Sequence, residues 1–185
     1  MTPPRRFVWW IAIFLILLGL LPFLLPPFRY MTRYAELLLQ EPPRSLPVPV
    51  KGVKRSGLVD TWGAARSGGR RHEGIDIFAR RNTPVLSATS GIVLRSGWNR
   101  LGGRYIMVMG PGGYRHYYAH LEKFSGHEEG DMVEVGDLIG YVGDSGNAKG
   151  TPTHLHYGMY KFAGGAINPY PFLAVRRAPS ARGKS

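Results

Sequence analysis

The sequence predicts a mainly β domain preceded by one N-terminal transmembrane helix. Three observations carry this. Residues Phe7 to Leu25 (FVWWIAIFLILLGLLPFLL) contain no charged side chain. Beyond residue 50, short β-type runs are separated by Gly, Asn and Ser, and helical periodicity is weak. The 25 glycines and 15 prolines are scattered without a short repeat, which suits a turn-rich β fold more than disorder.

As a helix, the apolar run is about 28 Å long at roughly 1.5 Å per residue, close to a hydrocarbon core of roughly 30 Å. Trp9 and Trp10 lie near one end, where amphipathic rings favour the interface. Pro22 bends the last turn, and Pro26-Pro27 is expected to end the helix, because proline lacks the amide donor and restricts its predecessor. A cleaved signal peptide is disfavoured. The run exceeds the usual apolar stretch of about 7–15 residues, and no small-x-small site follows it. Arg5 and Arg6 precede the run and favour a cytoplasmic tail, although Arg29 and Arg33 lie on its far side. The expected organisation is a cytoplasmic tail over 1–6, a single-pass anchor in the cytoplasmic membrane over 7–25, a juxtamembrane and proline-rich linker over 26–52, a folded domain over 53–175 on the outer side, and a basic flexible tail over 176–185. Within the linker, Met31 to Gln40 suits a short helix, and Glu41 to Val50 (EPPRSLPVPV) reads as an extended spacer.

The formal net charge is +12. Residues 51–175 hold 15 Lys/Arg and 10 Asp/Glu, so only +5 belongs to the expected domain. A basic surface can meet nucleic acid, anionic lipid or anionic wall polymer, but no nucleic-acid motif is present. Cysteine is absent, so any metal site must use His and carboxylates.

Pro84 to Leu94 reads as a hairpin-like unit, Tyr105 to Met109 as a strand, and Gly110 to Gly113 as a turn. Tyr114 to Leu121 is a second strand, whose two-residue period would set Tyr114, His116, Tyr118 and His120 on one face. Met132 to Val142 follows, with turns expected at Gly136 and Gly140, and His154 to Tyr160 closes the series. Thr83-Pro84-Val85 … Gly91-Ile92-Val93 faintly echoes Asp131-Met132-Val133 … Gly140-Tyr141-Val142, as a duplicated β-barrel or sandwich would.

Two of the local patterns suit a metal. His154-x-His156 on a strand projects two imidazoles from one face, with Leu155 pointing into the core. His72-x-x-x-Asp76 has an even separation and shares a side if extended. Two imidazoles and a carboxylate suit Zn²⁺, and a catalytic zinc keeps a position open for water. Four histidines and one aspartate exceed that need, so surplus histidines could move protons or hold a developing oxyanion. His116 and His127 read as ordinary surface histidines, and Glu73 as a solvated charge.

At these residues the chain resembles the LytM/lysostaphin-type zinc metallopeptidases, from about Asp60 to Pro169. The matching pieces are Asp60-Thr61-Trp62-Gly63, Gly69-Arg70 leading to His72 and Asp76, Thr83-Pro84-Val85, Gly91-Ile92-Val93, Tyr118-Ala119-His120-Leu121, Val135 to Gly140, the His154-Leu155-His156 strand and Asn168-Pro169. The resemblance implies a small antiparallel β barrel-sandwich, a duplicated hybrid motif, with a groove walled by loops. It implies one zinc ion held by His72, Asp76 and His156, with His120 and His154 as non-ligand catalytic histidines. The implied reaction is hydrolysis of a peptide bond in peptidoglycan cross-links or stem peptides. Asn82 departs from the pattern where a glycine is common, and Thr153 stands where Pro, Gly or Ser are common. The segments Ser96 to Gly103 and Gly143 to Thr153 are expected to border the groove, and Tyr118 either contacts substrate or packs in the core.

The residues speak against two rival functions. A non-hydrolytic wall-binding activator of other hydrolases would need none of the five site residues, and all five are present. A lipoyl- or biotinyl-type carrier would need a lysine at a hairpin tip, and neither Ser87 to Gly91 nor Glu134 to Asp137 contains one.

Overall fold

The computed structural model describes residues 5–24 and 26–174, with side chains over 9–20 and 30–174. The chain divides into two compact units, Met1–Glu36 and Leu37–Ser185.

In the first unit, α1 covers Arg5–Leu24 and α2 begins at Pro26, running to Leu39. α1 ends ahead of Pro26-Pro27, as expected, and the same prolines open α2, where a missing amide donor costs nothing. The described side chains of α1, Trp9 to Leu20, are apolar and mostly exposed. Among the described residues, no helix is long and apolar enough to cross a membrane. The expected span over 7–25 extends past the described side chains at both ends, and the tail over 176–185 lies outside the described residues.

The second unit is built on one antiparallel sheet of nine strands. In chain order they are β1 (Ile75–Phe78), β2 (Pro84–Leu86), β3 (Gly91–Asn99), β4 (Gly103–Met109), β5 (Arg115–Phe124), β6 (Met132–Val133), β7 (Leu138–Val142), β8 (His154–Tyr160) and β9 (Ala166–Ile167), followed by a short α3 (Tyr170–Ala174). The main path runs β1-β8-β5-β4-β3-β6, with β2 and β7 branching from β5 and β9 lying beside β8. Alternating side chains fill the core: Ile75 and Ile77 of β1, Ile106 and Val108 of β4, and Leu155, Tyr157 and Met159 of β8 are all buried. Each such aliphatic side chain contributes roughly 1.5–3 kcal/mol by leaving water.

The sheet is not closed into a barrel, which corrects the barrel-sandwich expectation. The reason lies in β5. Its Arg115–Ala119 half pairs with β8, and its Leu121–Phe124 half pairs with β7. At the junction stands His120 with φ +61, an uncommon conformation for a non-glycine residue. The β4 register slips at the same place, between Arg104 and Ile106. A bulge therefore bends β5 and forks the sheet. It also breaks the expected two-residue period. His116 and Tyr118 are fully buried, while His120 turns to the other face with Tyr117. Tyr118 is thus a core residue, its hydroxyl accepting the Ala88 N–H at 3.0 Å. His116 is not a surface residue either. Its Nδ1 sits 2.7 Å from the Tyr157 hydroxyl, and burial pulls its pKa down to about 3.

The sequence echo is real but its strands are not two hairpins. β2 pairs with β7 and β3 with β6, so each unit completes the other. The connecting segments interlock: Ser87 N–H donates to Asp137 O at 2.8 Å, and Gly136 N–H to Ser87 O at 2.9 Å. Gly136 turns as expected, with φ +96, but Gly140 lies inside β7 opposite Val85. The departure at Asn82 has a backbone cause: φ is +65, the left-handed region glycine enters freely and asparagine tolerates best among the rest.

The proline-rich segment 41–50 lies along the sheet. Leu46 and Val50 are buried, Leu46 N–H donates to Phe172 O at 2.8 Å, and Val50 bridges Val85.

Candidate metal centre

β1 and β8 lie antiparallel with Asp76 opposite His156 and Phe78 opposite His154. Because side chains alternate, Asp76, His154 and His156 project from one face while Ile75, Ile77 and Leu155 enter the core. His72 reaches the same point from the segment before β1. It is anchored at a hairpin base, where its N–H donates to Ala64 O at 2.9 Å and its carbonyl accepts the Gly63 N–H at 2.9 Å.

Three acceptor atoms converge. His72 Nε2 is 2.9 Å from His156 Nδ1 and 3.0 Å from Asp76 Oδ1, and His156 Nδ1 is 3.3 Å from Asp76 Oδ1. Tetrahedral ligation with bonds of about 2.0–2.1 Å needs ligand edges of about 3.3–3.4 Å. The three edges here match that size or fall just inside it. The tautomer of His72 follows from its partner. Its Nδ1 lies 2.7 Å from Thr61 O, a pure acceptor, so Nδ1 carries the proton and Nε2 keeps its lone pair. A lone pair and a carboxylate this close repel unless a proton or a metal cation lies between them, and the spacing of the three atoms fits a metal cation. Two imidazole nitrogens and one carboxylate oxygen suit a zinc-type ion. Burial alone would raise the Asp76 pKa, but the close approach of His156 and His72 outweighs it and holds the carboxyl well below the usual range. The His156 pKa is lowered by burial and by neighbouring His72, against the pull of Asp76.

The other two expected histidines stand beside this cluster. His154 Nδ1 lies 2.8 Å from Pro152 O, and His120 Nδ1 lies 2.8 Å from Ser145 O, so each donates from Nδ1 and presents a bare Nε2. His154 Nε2 is 3.8 Å from Asp76 Oδ1. The His120 ring centroid is 5.0 Å from that of His154 and 5.8 Å from that of His156. Burial, chiefly, lowers the His120 pKa to about 4, which keeps the ring neutral near pH 7. All five residues line one cavity of about 450 Å³. Leu101 and Gly102 line it too, as do Asn147, Ala148, Thr151 and Pro152, so both expected bordering segments reach the groove. A larger concavity of about 790 Å³, lined among others by Lys51, Lys54 and Arg55, offers no histidine or carboxylate.

Several supporting residues carry no role in the sequence reading. Thr61 braces two of the clustered residues: its carbonyl holds His72, and its Oγ1 accepts the Asp76 N–H at 3.0 Å. Arg66 pairs with Asp76 Oδ2, leaving Oδ1 to face the histidines. Ser145 fixes His120 through its carbonyl, and its Oγ–H donates to Leu121 O at 2.8 Å. Of these, only Thr61 fell inside a recognised motif.

A profile of peptidase family M23 matches residues 70–169, a stretch that contains all five clustered residues. The chain is 45% identical over 151 residues to the L-Ala–D-Glu endopeptidase of Bacillus subtilis, covering 76% of this chain and 45% of the relative. It is 34% identical over 110 residues to lysostaphin of Staphylococcus simulans, covering 57% of this chain and 22% of lysostaphin. The chain thus spans less than half the length of these two relatives. The crystal structure of the lysostaphin catalytic domain superposes with a TM-score of 0.59 at 31% identity, over 65% of this chain and 96% of that one. A glycyl-glycine endopeptidase LytM homologue from Ruminococcus gnavus gives a TM-score of 0.58 at 36% identity, over 75% of this chain and 61% of the other. With more than half its length matched and the fold shared, this chain belongs to peptidase family M23.

Proposed function

We propose that this protein is a zinc-dependent endopeptidase that hydrolyses peptide bonds in peptidoglycan, with His72, Asp76 and His156 as zinc ligands and His120 and His154 as catalytic histidines. The observation that carries this reading is the convergence of His72 Nε2, Asp76 Oδ1 and His156 Nδ1 within 3.3 Å of one another. Peptidoglycan as substrate is supported by the names of the relatives.

When bound, zinc lowers the pKa of a coordinated water toward about 7 and polarises the scissile carbonyl. The Thr61 carbonyl and the Arg66 guanidinium orient His72 and Asp76, so the ligand atoms need no rearrangement. His120 and His154 face the groove through unprotonated Nε2 atoms. One accepts the proton of the attacking water and returns it to the leaving amine. The imidazolium formed meanwhile stabilises the tetrahedral oxyanion of the substrate. The carbonyls of Ser145 and Pro152 hold both rings in the tautomer this requires.

The apolar run 7–25 supports a single-pass anchor, with the catalytic domain on the outer side of the cytoplasmic membrane, where the wall lies. Incubation of the full chain with zinc and defined muropeptides, with products read by mass spectrometry, tests the activity. No cleavage by the zinc-loaded protein would refute it. A reporter fused after Ser185 that was active only in the cytoplasm would refute the topology.

A further inference from the structure

The two walls of the groove differ in charge. One is the hairpin that runs from Ala64 to His72, in which Arg66 N–H donates to Arg70 O at 2.9 Å and Ala65 bridges Arg71. Arg66, Arg70 and Arg71 of this hairpin all line the cavity. The lining residues of the other wall, Leu101, Gly102, Asn147, Ala148, Thr151 and Pro152, are all uncharged.

The three cations are not equally engaged. Hairpin pairing sets Arg66 opposite Arg70, Ala65 opposite Arg71 and Ala64 opposite His72, so Arg66 and Arg70 share the face of His72 while Arg71 takes the other face. Arg66 is neutralised by Asp76 Oδ2. Arg70 donates only to Ser67, Nε to its carbonyl at 3.2 Å and Nη2 to its Oγ at 3.3 Å. Arg71 Nη1 donates to Gly63 O at 3.2 Å. Among the described residues, neither Arg70 nor Arg71 meets a carboxylate. Apart from Asp76, Glu73 is the one acid in the lining; the Tyr160 pKa is raised by burial first and by Glu73 second. Arg70 therefore presents an exposed guanidinium fork on the face of His72 that no ion pair engages. A guanidinium fork matches a carboxylate in shape as well as in charge, and a carboxylate is the anion a peptide offers.

We propose that this hairpin is a carboxylate subsite: the bond cut is flanked by a substrate residue that keeps a free carboxylate, which Arg70 binds. The proposal rests on the peptidase reading above and specifies which peptides that site accepts. The uncharged opposite wall leaves the rest of the peptide to be held by shape and backbone hydrogen bonds.

The test uses the full zinc-loaded chain and two synthetic stem peptides. They contain an Ala–Glu linkage and are identical except that the non-bonded carboxyl of glutamate is free in one and a carboxamide in the other. The expected result is a kcat/KM on the order of tenfold or more higher for the free carboxylate, the scale of one lost charge-assisted hydrogen bond. Raising the salt concentration should narrow that preference. The variant Arg70→Gln should bring the ratio towards one, mainly through KM, while its zinc content stays that of the wild type. Equal cleavage of the two peptides by the wild-type protein would overturn the subsite, with no reliance on the variant. So would a preference that a folded, zinc-loaded Arg70→Gln variant keeps. Failure of the wild-type protein to cut either peptide, or any muropeptide, would instead overturn the peptidase reading.

Discussion

Gly74 leaves the space that the His156 ring occupies. A Cβ at residue 74 would stand 2.6 Å from Tyr157 O, 2.7 Å from His156 Cε1 and 2.9 Å from His156 Nε2. The glycine is required by this close approach and not by its backbone angles, since its φ is not positive. Gly74 also lies between His72 and Asp76, so one short segment supplies two of the proposed ligands and the room for the third. Gly74→Ala is expected to push the His156 ring off its position and weaken zinc binding by about 10–100-fold, the cost of disturbing a ligand's support. Competition with a chelator, alongside circular dichroism to confirm the fold, measures this. Unchanged affinity would show that the ring adapts at no cost.

The five residues of the site should separate into two groups. Removing a ligand, as in His156→Ala or Asp76→Asn, should lose both zinc and activity, because three ligands are few enough that each is needed. His120→Ala and His154→Ala should keep zinc and lose about 10²–10⁴-fold in kcat. Metal analysis and kinetics on the same preparations decide it. Loss of zinc in His154→Ala would make that residue a ligand.

His116 makes the fold sensitive to acid. Burial pulls its pKa from an ordinary 6.5 to about 3, so between those values the unfolded chain binds a proton that the folded chain refuses. Stability is therefore complete above that ordinary value and falls as pH drops through the window, by up to about 1.4 kcal/mol per unit. Urea midpoints of the chelated protein at about pH 7.5 and about pH 5 give the slope. His116→Leu should lower stability overall, because Tyr157 loses its partner, yet show a shallower pH dependence. An unchanged slope would assign the acid sensitivity elsewhere.

Asn82 holds φ +65 at the turn before β2. Asn82→Gly should be close to neutral or slightly stabilising, whereas Asn82→Val should cost about 1–2 kcal/mol, because a β-branched side chain crowds the carbonyl in that region. Thermal midpoints of the two variants give the order, and equal midpoints would refute it.

Much of the site could be read from the sequence because its residues sit at short, regular separations. His154 and His156 lie on one strand face with Leu155 between them in the core, as alternation demands. β8 runs from His154 to Tyr160, the bounds the sequence predicted. The duplicated strand pattern was also visible, although not its pairing. Alternation is local physics and needs no knowledge of the rest of the chain.

What lay hidden depends on contacts between distant segments. A two-residue period set His116 and His120 on the same face. The bulge in β5 sends one into the core and the other to the groove, and that bulge arises where β5 exchanges β8 for β7 as its partner. Thr61, Arg66 and Ser145 hold the site through atoms that any threonine, arginine or serine possesses, so composition and spacing could not single them out. The sequence by itself determined the donor set, two imidazoles and a carboxylate from two short segments, and the β character of the strands that carry them. Only the tertiary structure decided which histidines meet that carboxylate, that the sheet forks instead of closing, and that every cation lining the groove lies on one wall. Each of these is fixed by pairing between residues far apart in the chain, which no local pattern encodes.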